Sequence, residues 1–415
     1  MEQQHTKRAG LRLPKLQFSW AWSWRVVSTL LIIGAGLALL LFGQLESLLP
    51  GYSSHEVQIA QESSSFGAIA ENPVNAPYKF VVFGLTLVGV DALLATRVAS
   101  AIFGTATLLL FYVGVRHWHS RHVAFLATTL FALSAWFLFT ARFGAGDIML
   151  PFVVLLFATC GYWIAASAQR STARYLAAVL ALSLSIFIPG AIWLVLIGLI
   201  VRRGKDIQFL RRRLLLQQKI ALGGLLVIFV LLPLIYGVIQ TPATGLELLA
   251  LPTDMPDMLA MLREFALLPL AFVAWSNFGP EFWLGNLPLL DVFSAAMFLL
   301  GLYAAIRDWR LDRAKLLLGL LVLGMALVAL GGMPIAVLLP VVYVIIAGGI
   351  ATLLGQWLVV FPRNPLARSF GIILVTLAVV ASLTYNFRLH YIAWPLSSET
   401  KAVYTAQTLN AIIRD

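Results

Sequence analysis

The chain has 415 residues, 60% of them hydrophobic and 11% charged, with a formal net charge of +11. A soluble domain is nearer a quarter charged, so this composition excludes one and points to a polytopic helical membrane protein, with apolar runs of about 17–23 residues recurring along the chain. The distribution of the positive charge, set out below, fits membrane orientation better than nucleic-acid binding, and the single cysteine, Cys160, excludes an intrachain disulfide and a cysteine metal cluster.

In chain order, residues 1–25 are polar and basic and read as a cytoplasmic amino-terminal segment. Trp20, Trp22 and Trp24 read as an aromatic belt before an uncleaved first span. Eleven spans are expected near Val26–Gln44, Leu93–Val115, Val123–Phe139, Ile148–Ala168, Tyr175–Ile188, Ala191–Val201, Ile220–Ile239, Leu289–Ile306, Leu316–Leu330, Pro334–Trp357 and Ser369–Tyr385. The fifth and sixth are two short crossings around Pro189-Gly190, because a single crossing would put one of two basic clusters outside. With this topology 22 of the 29 Lys and Arg lie inside and 14 of the 18 acids lie outside. The positive-inside rule then puts the amino terminus in the cytoplasm and the carboxyl terminus outside, in a plasma or inner membrane. The expected divisions are 1–25, a transmembrane region 26–385 with long outside loops 45–92 and 240–288, and a short extracytoplasmic tail 386–415. The stretch "MLAMLREFALLPLAFVAW" in the second long loop reads as an amphipathic interfacial helix.

Three stretches carry candidate chemistry. The first outside loop offers His55, Glu56, Glu62 and Glu71, then Pro77-Tyr78-Lys79. Glu56 and Ile59, with Glu62 and Ser63, sit at helical spacing, so a short helix along the membrane surface is expected. A carboxylate held there can act as a general base or simply be solvated. The second stretch is "TARFGAGDIMLP". Asp147 directly precedes a span and can cap it. Gly144 and Gly146 open the backbone before that helix, an arrangement suited to anions. Arg142 is one of only seven basic residues outside, either snorkelling at the interface or answering an anionic ligand. The third, "RHWHSRH", is a basic headgroup-facing turn rather than a metal site. Outside acids are of the type that holds Mg²⁺ or Mn²⁺, but no ligand spacing demands a metal.

The order of these features resembles the GT-C fold glycosyltransferases that use a polyprenyl-phosphate sugar, the group of the protein O-mannosyltransferases and the lipid A aminoarabinose transferase. The likeness begins at "SSHEVQIAQESSSFG", continues through "NAPYKF" to "FTARFGAGDIMLP", and echoes weakly in "FWLGNLPLLDVFSAAMFLLGLYAAIRDWR" and "GGMPIAVLLPVVYV". It implies a GT-C-like all-α membrane bundle of about 11 transmembrane helices with interfacial helices in the outside loops. It also implies inverting transfer of a sugar from a polyprenyl-phosphate donor to an extracytoplasmic protein, lipid or glycan hydroxyl. Asp147 matches the family's acid at the second outside turn, and Glu56 matches the second acid of the first-loop pair. His55 stands where the family has the first acid, so either His55 or Glu56 is the base. Pro77-Tyr78 match the Pro-aromatic step. Arg142, Lys79 and Arg97 are the outside cations available to phosphate, with Tyr78 and Glu71 as further substrate-binding candidates. Two departures stand out: the pair is His-Glu, and "GGMPIAV" lacks a basic residue after its proline. A lipid-linked glycan transporter and a non-catalytic GT-C-like binding protein are the alternatives.

Overall fold

The computed structural model describes residues 24–167, 172–194, 196, 214–361 and 364–404. Trp20, Trp22, the basic run 202–213 and most of the sixth expected span lie outside these residues. Among the described residues the protein is helical throughout, with no strand. Helix α1 covers Trp24–Phe42, followed by α2 Ser54–Glu62, α3 Phe66–Glu71 and α4 Ala76–Leu87 in the first loop. The central helices are α5 Ala92–Trp118, α6 Arg121–Leu133, α7 Ala135–Arg142, α8 Met149–Ser167 and α9 Thr172–Ser185. Then come α10 Leu214–Gln240, α11 Pro242–Leu248, α12 Met258–Val273, α13 Val292–Arg307, α14 Asp312–Ala329, α15 Leu339–Val360 and α16 Pro365–Arg388.

Four helical stretches are long and apolar enough to cross a bilayer: Ala92–Trp118, Ile220–Gln240, Ile335–Val360 and Ser369–Leu396. α6 and α7 together make a fifth, bent by 62°. Several further apolar helices, such as Val292–Arg307, are shorter. Among the described residues the four long stretches and the bent pair cover the expected second, third, seventh, tenth and eleventh spans of an integral membrane protein built as a helical bundle.

The bend corrects the third expected span, Val123–Phe139, which is not one helix. Ser134 adopts an extended conformation between α6 and α7. Its hydroxyl donates to the Phe131 carbonyl and accepts from the Phe137 amide, so one side chain ends one helix and caps the next. The freed Ala135 amide donates to Asn386 Oδ1 at 2.9 Å. Asn386 Nδ2 in turn donates to Asp291 Oδ2 at 3.0 Å, and Asp291 caps α13 through the Phe293 and Ser294 amides. Backbone groups that the bend opens, the Ala135 and Phe137 amides and the Phe131 carbonyl, are thereby paired inside the bundle, as an apolar surround requires. Asn386 also shows why the boundary expected at Tyr385 falls within structure: the helix runs on through a π turn, Leu389–Ala393, to Leu396.

The core centres on α5, α7, α13 and α15. At the α13–α15 crossing the backbones touch. A Cβ on Gly301 would lie 1.9 Å from the Ile345 carbonyl oxygen, and one on Gly349 2.0 Å from that of Met297. Small residues permit this approach where apolar side chains alone give no solvent-driven preference. The expected amphipathic stretch forms α12, with Met258, Leu259 and Leu262 exposed and Leu268, Ala271 and Phe272 buried.

Candidate functional site

The first-loop helix α2 starts with a capping box. Ser53 Oγ accepts from the Glu56 amide at 3.2 Å, and the Glu56 carboxylate accepts from the Ser53 amide at 2.8 Å. That geometry turns Glu56 inward, where it is fully buried. Arg97, on α5, meets it in two bonds, Nε to Oε1 at 2.7 Å and Nη2 to Oε2 at 3.0 Å. Arg97 spends its other donors on the Leu45 and Gly51 carbonyls, with Tyr52 stacked on the guanidinium. The fourth bond to Glu56 comes from the Gly144 amide, 3.1 Å from Oε1. Glu56 and Arg97 are therefore a closed pair that ties α2, α5 and the loop after α7 together.

That loop is Phe143–Ile148. Gly144 sits so close to α5 that a Cβ would fall 2.2 Å from Thr96 Oγ1. Gly146 has a φ of +83°, a left-handed conformation that suits glycine, and lies over the Tyr78 ring. The buried Tyr78 hydroxyl, on α4, donates to the Thr96 carbonyl at 2.6 Å and approaches the Gly144 carbonyl at 3.2 Å. Ser100 Oγ holds the Phe143 carbonyl at 2.7 Å. The loop is thus fixed from three sides before Asp147 is reached.

Arg142 faces away from Asp147. Its Nη1 donates to the Leu40 carbonyl at 2.6 Å and its Nη2 to the Gly43 carbonyl at 2.7 Å, with a third bond to the Tyr391 hydroxyl at 3.1 Å. Tyr391 also donates to the Leu40 carbonyl. These carbonyls end α1, where a cation is favoured by both hydrogen bonding and the helix dipole. The anion that answers Arg142 is the carboxyl end of a helix.

Beside the loop lies a cavity of about 280 Å³. Asp147, His55 and Lys79 line it, with Glu62 and Glu247. His55 and Glu62 are seven residues apart and share one face of α2. Lys79 is 1% exposed and pairs with Glu62 at 2.7 Å, its ammonium also donating to the Asn72 carbonyl at 2.8 Å. One of its three hydrogens remains for a further acceptor. The half-buried Asp147 carboxylate forms no hydrogen bond among the described residues. Burial pushes its pKa up to about 6, against the pull of His55, and Glu281 adds to the rise. Burial also raises the Glu247 carboxyl, offset by Lys79.

The expected residues therefore divide. His55, Lys79 and Asp147 share the cavity. Glu56, Arg97 and Arg142 border a separate small void of about 20 Å³. Tyr78 is a strut, and Glu71 is exposed at the end of α3 away from the cavity lining. Arg142, expected at phosphate, spends its Nη donors on the α1 carbonyls and the Tyr391 hydroxyl, while its buried Nε has no partner among the described residues. Glu62, read from the sequence as one of the first-loop acids without an assigned role, also lines the cavity, and Glu247, which the sequence reading did not single out, joins it. No local pattern marks Glu247, which arrives on α11 from the second long loop. Among the described residues no group of three or more His, Cys, Asp or Glu is placed to hold a metal ion, so no step is routed through one.

No protein-family profile matches the chain. No curated protein matches it in sequence. Solved structures do match in fold. The apo structure of ArnT from Cupriavidus metallidurans superposes with a TM-score of 0.53 at 14% identity, over 93% of this chain and 78% of that one. The same protein bound to undecaprenyl phosphate gives 0.53 at 15% identity, over 92% and 78%. The archaeal oligosaccharyltransferase AglB from Archaeoglobus fulgidus, in complex with an inhibitory peptide and a dolichol-phosphate, gives 0.52 at 13% identity, over 91% of this chain and 57% of that one. The aminoarabinose transferase and the oligosaccharyltransferase are both GT-C glycosyltransferases, and the architecture here is that GT-C fold.

Proposed function

We propose that this protein is a membrane glycosyltransferase that moves a sugar from a polyprenyl-phosphate donor to an extracytoplasmic hydroxyl, with inversion. The convergence of His55, Lys79 and Asp147 on one cavity carries this reading. A second feature supports the lipid donor. An apolar crevice lined by Leu150, Val153, Val154, Trp193 and Leu194 adjoins the polar cavity, and the two share Leu150 and Pro189. A phosphate on an isoprenoid tail needs that junction of polar and apolar walls.

In the proposed reaction the acceptor hydroxyl oxygen attacks the anomeric carbon opposite the lipid phosphate. The hydroxyl proton passes to the Asp147 carboxylate, which is unpartnered and titrates near working pH. The bond from the anomeric carbon to the phosphate oxygen breaks, and its electrons leave with the phosphate. The leaving group goes from one negative charge towards two. Lys79, fixed by Glu62 and Asn72, offers its remaining hydrogen to that charge before the reaction begins. His55 lines the same cavity, offsets part of the burial that raises the Asp147 carboxyl, and positions the acceptor. Glu56 serves by holding α2 and the Asp147 loop in register. The cavity then belongs on the extracytoplasmic side, with the amino terminus in the cytoplasm, as the charge asymmetry requires.

The test is transfer from a defined polyprenyl-phosphate sugar by the purified full-length chain. Asp147→Asn is expected to lower turnover by at least about a hundredfold, the lower range for loss of a general base. Lys79→Ala is expected to weaken use of the lipid-phosphate donor. Undiminished turnover in both variants would sink the assignment. Tight donor binding without turnover in the parent protein would favour a binding protein instead.

A further inference from the structure

A second cavity of about 280 Å³ lies at the far end of α5, between the last turns of α13, the first turns of α14 and the middle of α15. Arg97 and Trp118 bracket this distance along α5. Their 21 intervening steps amount to roughly 30 Å of helix, about the thickness of a hydrocarbon core. The floor of the cavity is made of small residues, Gly301 and Ala304 on α13 with Gly348 and Ala351 on α15. They leave a shallow apolar channel between the helices. Its mouth carries His119, Arg307 and Arg313. Arg307 is balanced by Asp308 at 3.1 Å. Arg313 has no ion-pair partner within 4 Å among the described residues, and neither does the His119 ring. Trp118 and Asp308 complete the rim, and Arg116, outside the lining, bonds the His119 carbonyl through Nη1 at 3.2 Å.

Charge and shape here select one kind of occupant. A cationic mouth over an apolar channel at membrane-surface depth matches a molecule with an anionic head and a hydrocarbon tail. A nucleotide or a peptide would leave the small-residue channel unfilled, and a neutral lipid would not answer the net positive charge that Arg307 and Arg313 keep over Asp308. The aromatic at the rim sits where indole rings collect at a headgroup boundary.

We propose that this crevice is a binding site for an anionic phospholipid, with the phosphodiester at His119 and Arg313 and an acyl chain along the Gly301–Gly348 floor. It is separate from the Asp147 cavity and independent of the transferase reading.

The full-length protein, in nanodiscs of phosphatidylcholine with a minor share of phosphatidylglycerol, is released and its retained lipids are counted by native mass spectrometry. Retention of phosphatidylglycerol over phosphatidylcholine is expected, falling about fivefold with Arg313→Gln, the change in scale for one cation near a membrane surface. Lys315→Gln, a nearby charge outside the lining, is expected to change little. Gly348→Leu fills the floor and is expected to lower retention while leaving the rim charge intact. Thermal unfolding in phosphatidylcholine alone identifies any variant that has simply misfolded, and Arg313→Gln, at an exposed position, carries the test in that case. Equal retention of both lipids, equal loss in the Arg313 and Lys315 variants, or full displacement of the lipid by inorganic phosphate would each overturn the proposal.

Discussion

Replacing Asp147 by asparagine is predicted to stabilise the protein while it removes activity. The carboxyl is held at a pKa of about 6, against an ordinary 3.8, chiefly by burial. A folded-state pKa above the unfolded one means that the folded protein disfavours the charged form. Below about pH 4 the group is protonated in both states and costs the fold nothing. As pH rises through 6 the folded protein must carry a desolvated charge, and stability falls. A shift of roughly two units corresponds to about 3 kcal/mol at neutral pH. Partial solvent access through the cavity reduces this towards about 1–3 kcal/mol. Asparagine keeps the shape without the charge, so Asp147→Asn is expected to be the more stable protein at pH 7.5, with the gap closing towards pH 4.5. Denaturant unfolding of both proteins in one detergent, followed across that pH range, measures it. A variant equally or less stable at pH 7.5, or a gap that does not change with pH, would refute the reasoning.

Other perturbations follow from the same geometry. If Asp147 is the base, transfer per active protein falls about tenfold per pH unit below 6, and a pH–rate profile in saturating acceptor reads it. Glu56→Gln leaves the buried Arg97 uncompensated and is expected to cost about 3–5 kcal/mol of stability. Pairing it with Arg97→Met should recover much of that loss, which a double-mutant unfolding cycle checks. Arg142→Ala frees the end of α1 and is expected to cost at least about 1.5–3 kcal/mol, the range for a charged hydrogen bond. It should leave donor affinity unchanged in the protein that remains folded, which a binding isotherm would show. Gly144→Ala drives a Cβ into Thr96 and is expected to destabilise by about 1–3 kcal/mol in thermal unfolding.

The fold class was legible because bilayer-length apolar runs and charge asymmetry are properties of the chain itself. The first-loop helix was legible for the same reason: Ser53 and Glu56 spell a capping box, and the acids repeat at helical spacing. The bend at Ser134 was not, because its decisive partner, Asn386, is 251 residues away. Arg142 shows the limit most plainly. Its position against the charge rule was read as interface snorkelling or an anionic ligand, whereas the partners found are neutral carbonyls at the negative end of a helix dipole. The sequence contains no mark for backbone carbonyls left open at a helix end about a hundred residues earlier, so a ligand took their place in the reading. The choice between His55 and Glu56 turned on one residue of register. The capping box decides which faces in: the third helical position turns towards Arg97, and the second is left facing the cavity.

Charge satisfaction separates the structural from the reactive residues. Glu56 receives four hydrogen bonds, and Arg97 and the two Nη groups of Arg142 direct their donors at carbonyls, a carboxylate and the Tyr391 hydroxyl. Moving any of these side chains would cost the energy of several charged bonds. Asp147 follows Arg142 and the Gly144 amide that bonds Glu56, with no hydrogen bond of its own among the described residues, in a loop held at both points. The anchoring is what allows a raised carboxyl to persist, because a mobile loop would turn it out to water and lose the perturbation. Lys79 stands between the two cases, with two bonds made and one donor left, as a group that must meet a charge that grows during reaction should be. A protein that only bound a lipid phosphate would gain from a fully ionised, well-paired site. A carboxyl raised by burial, lining the same cavity as a partly spent ammonium, suits proton transfer, which is why the proposed reading is a transferase rather than a binding protein.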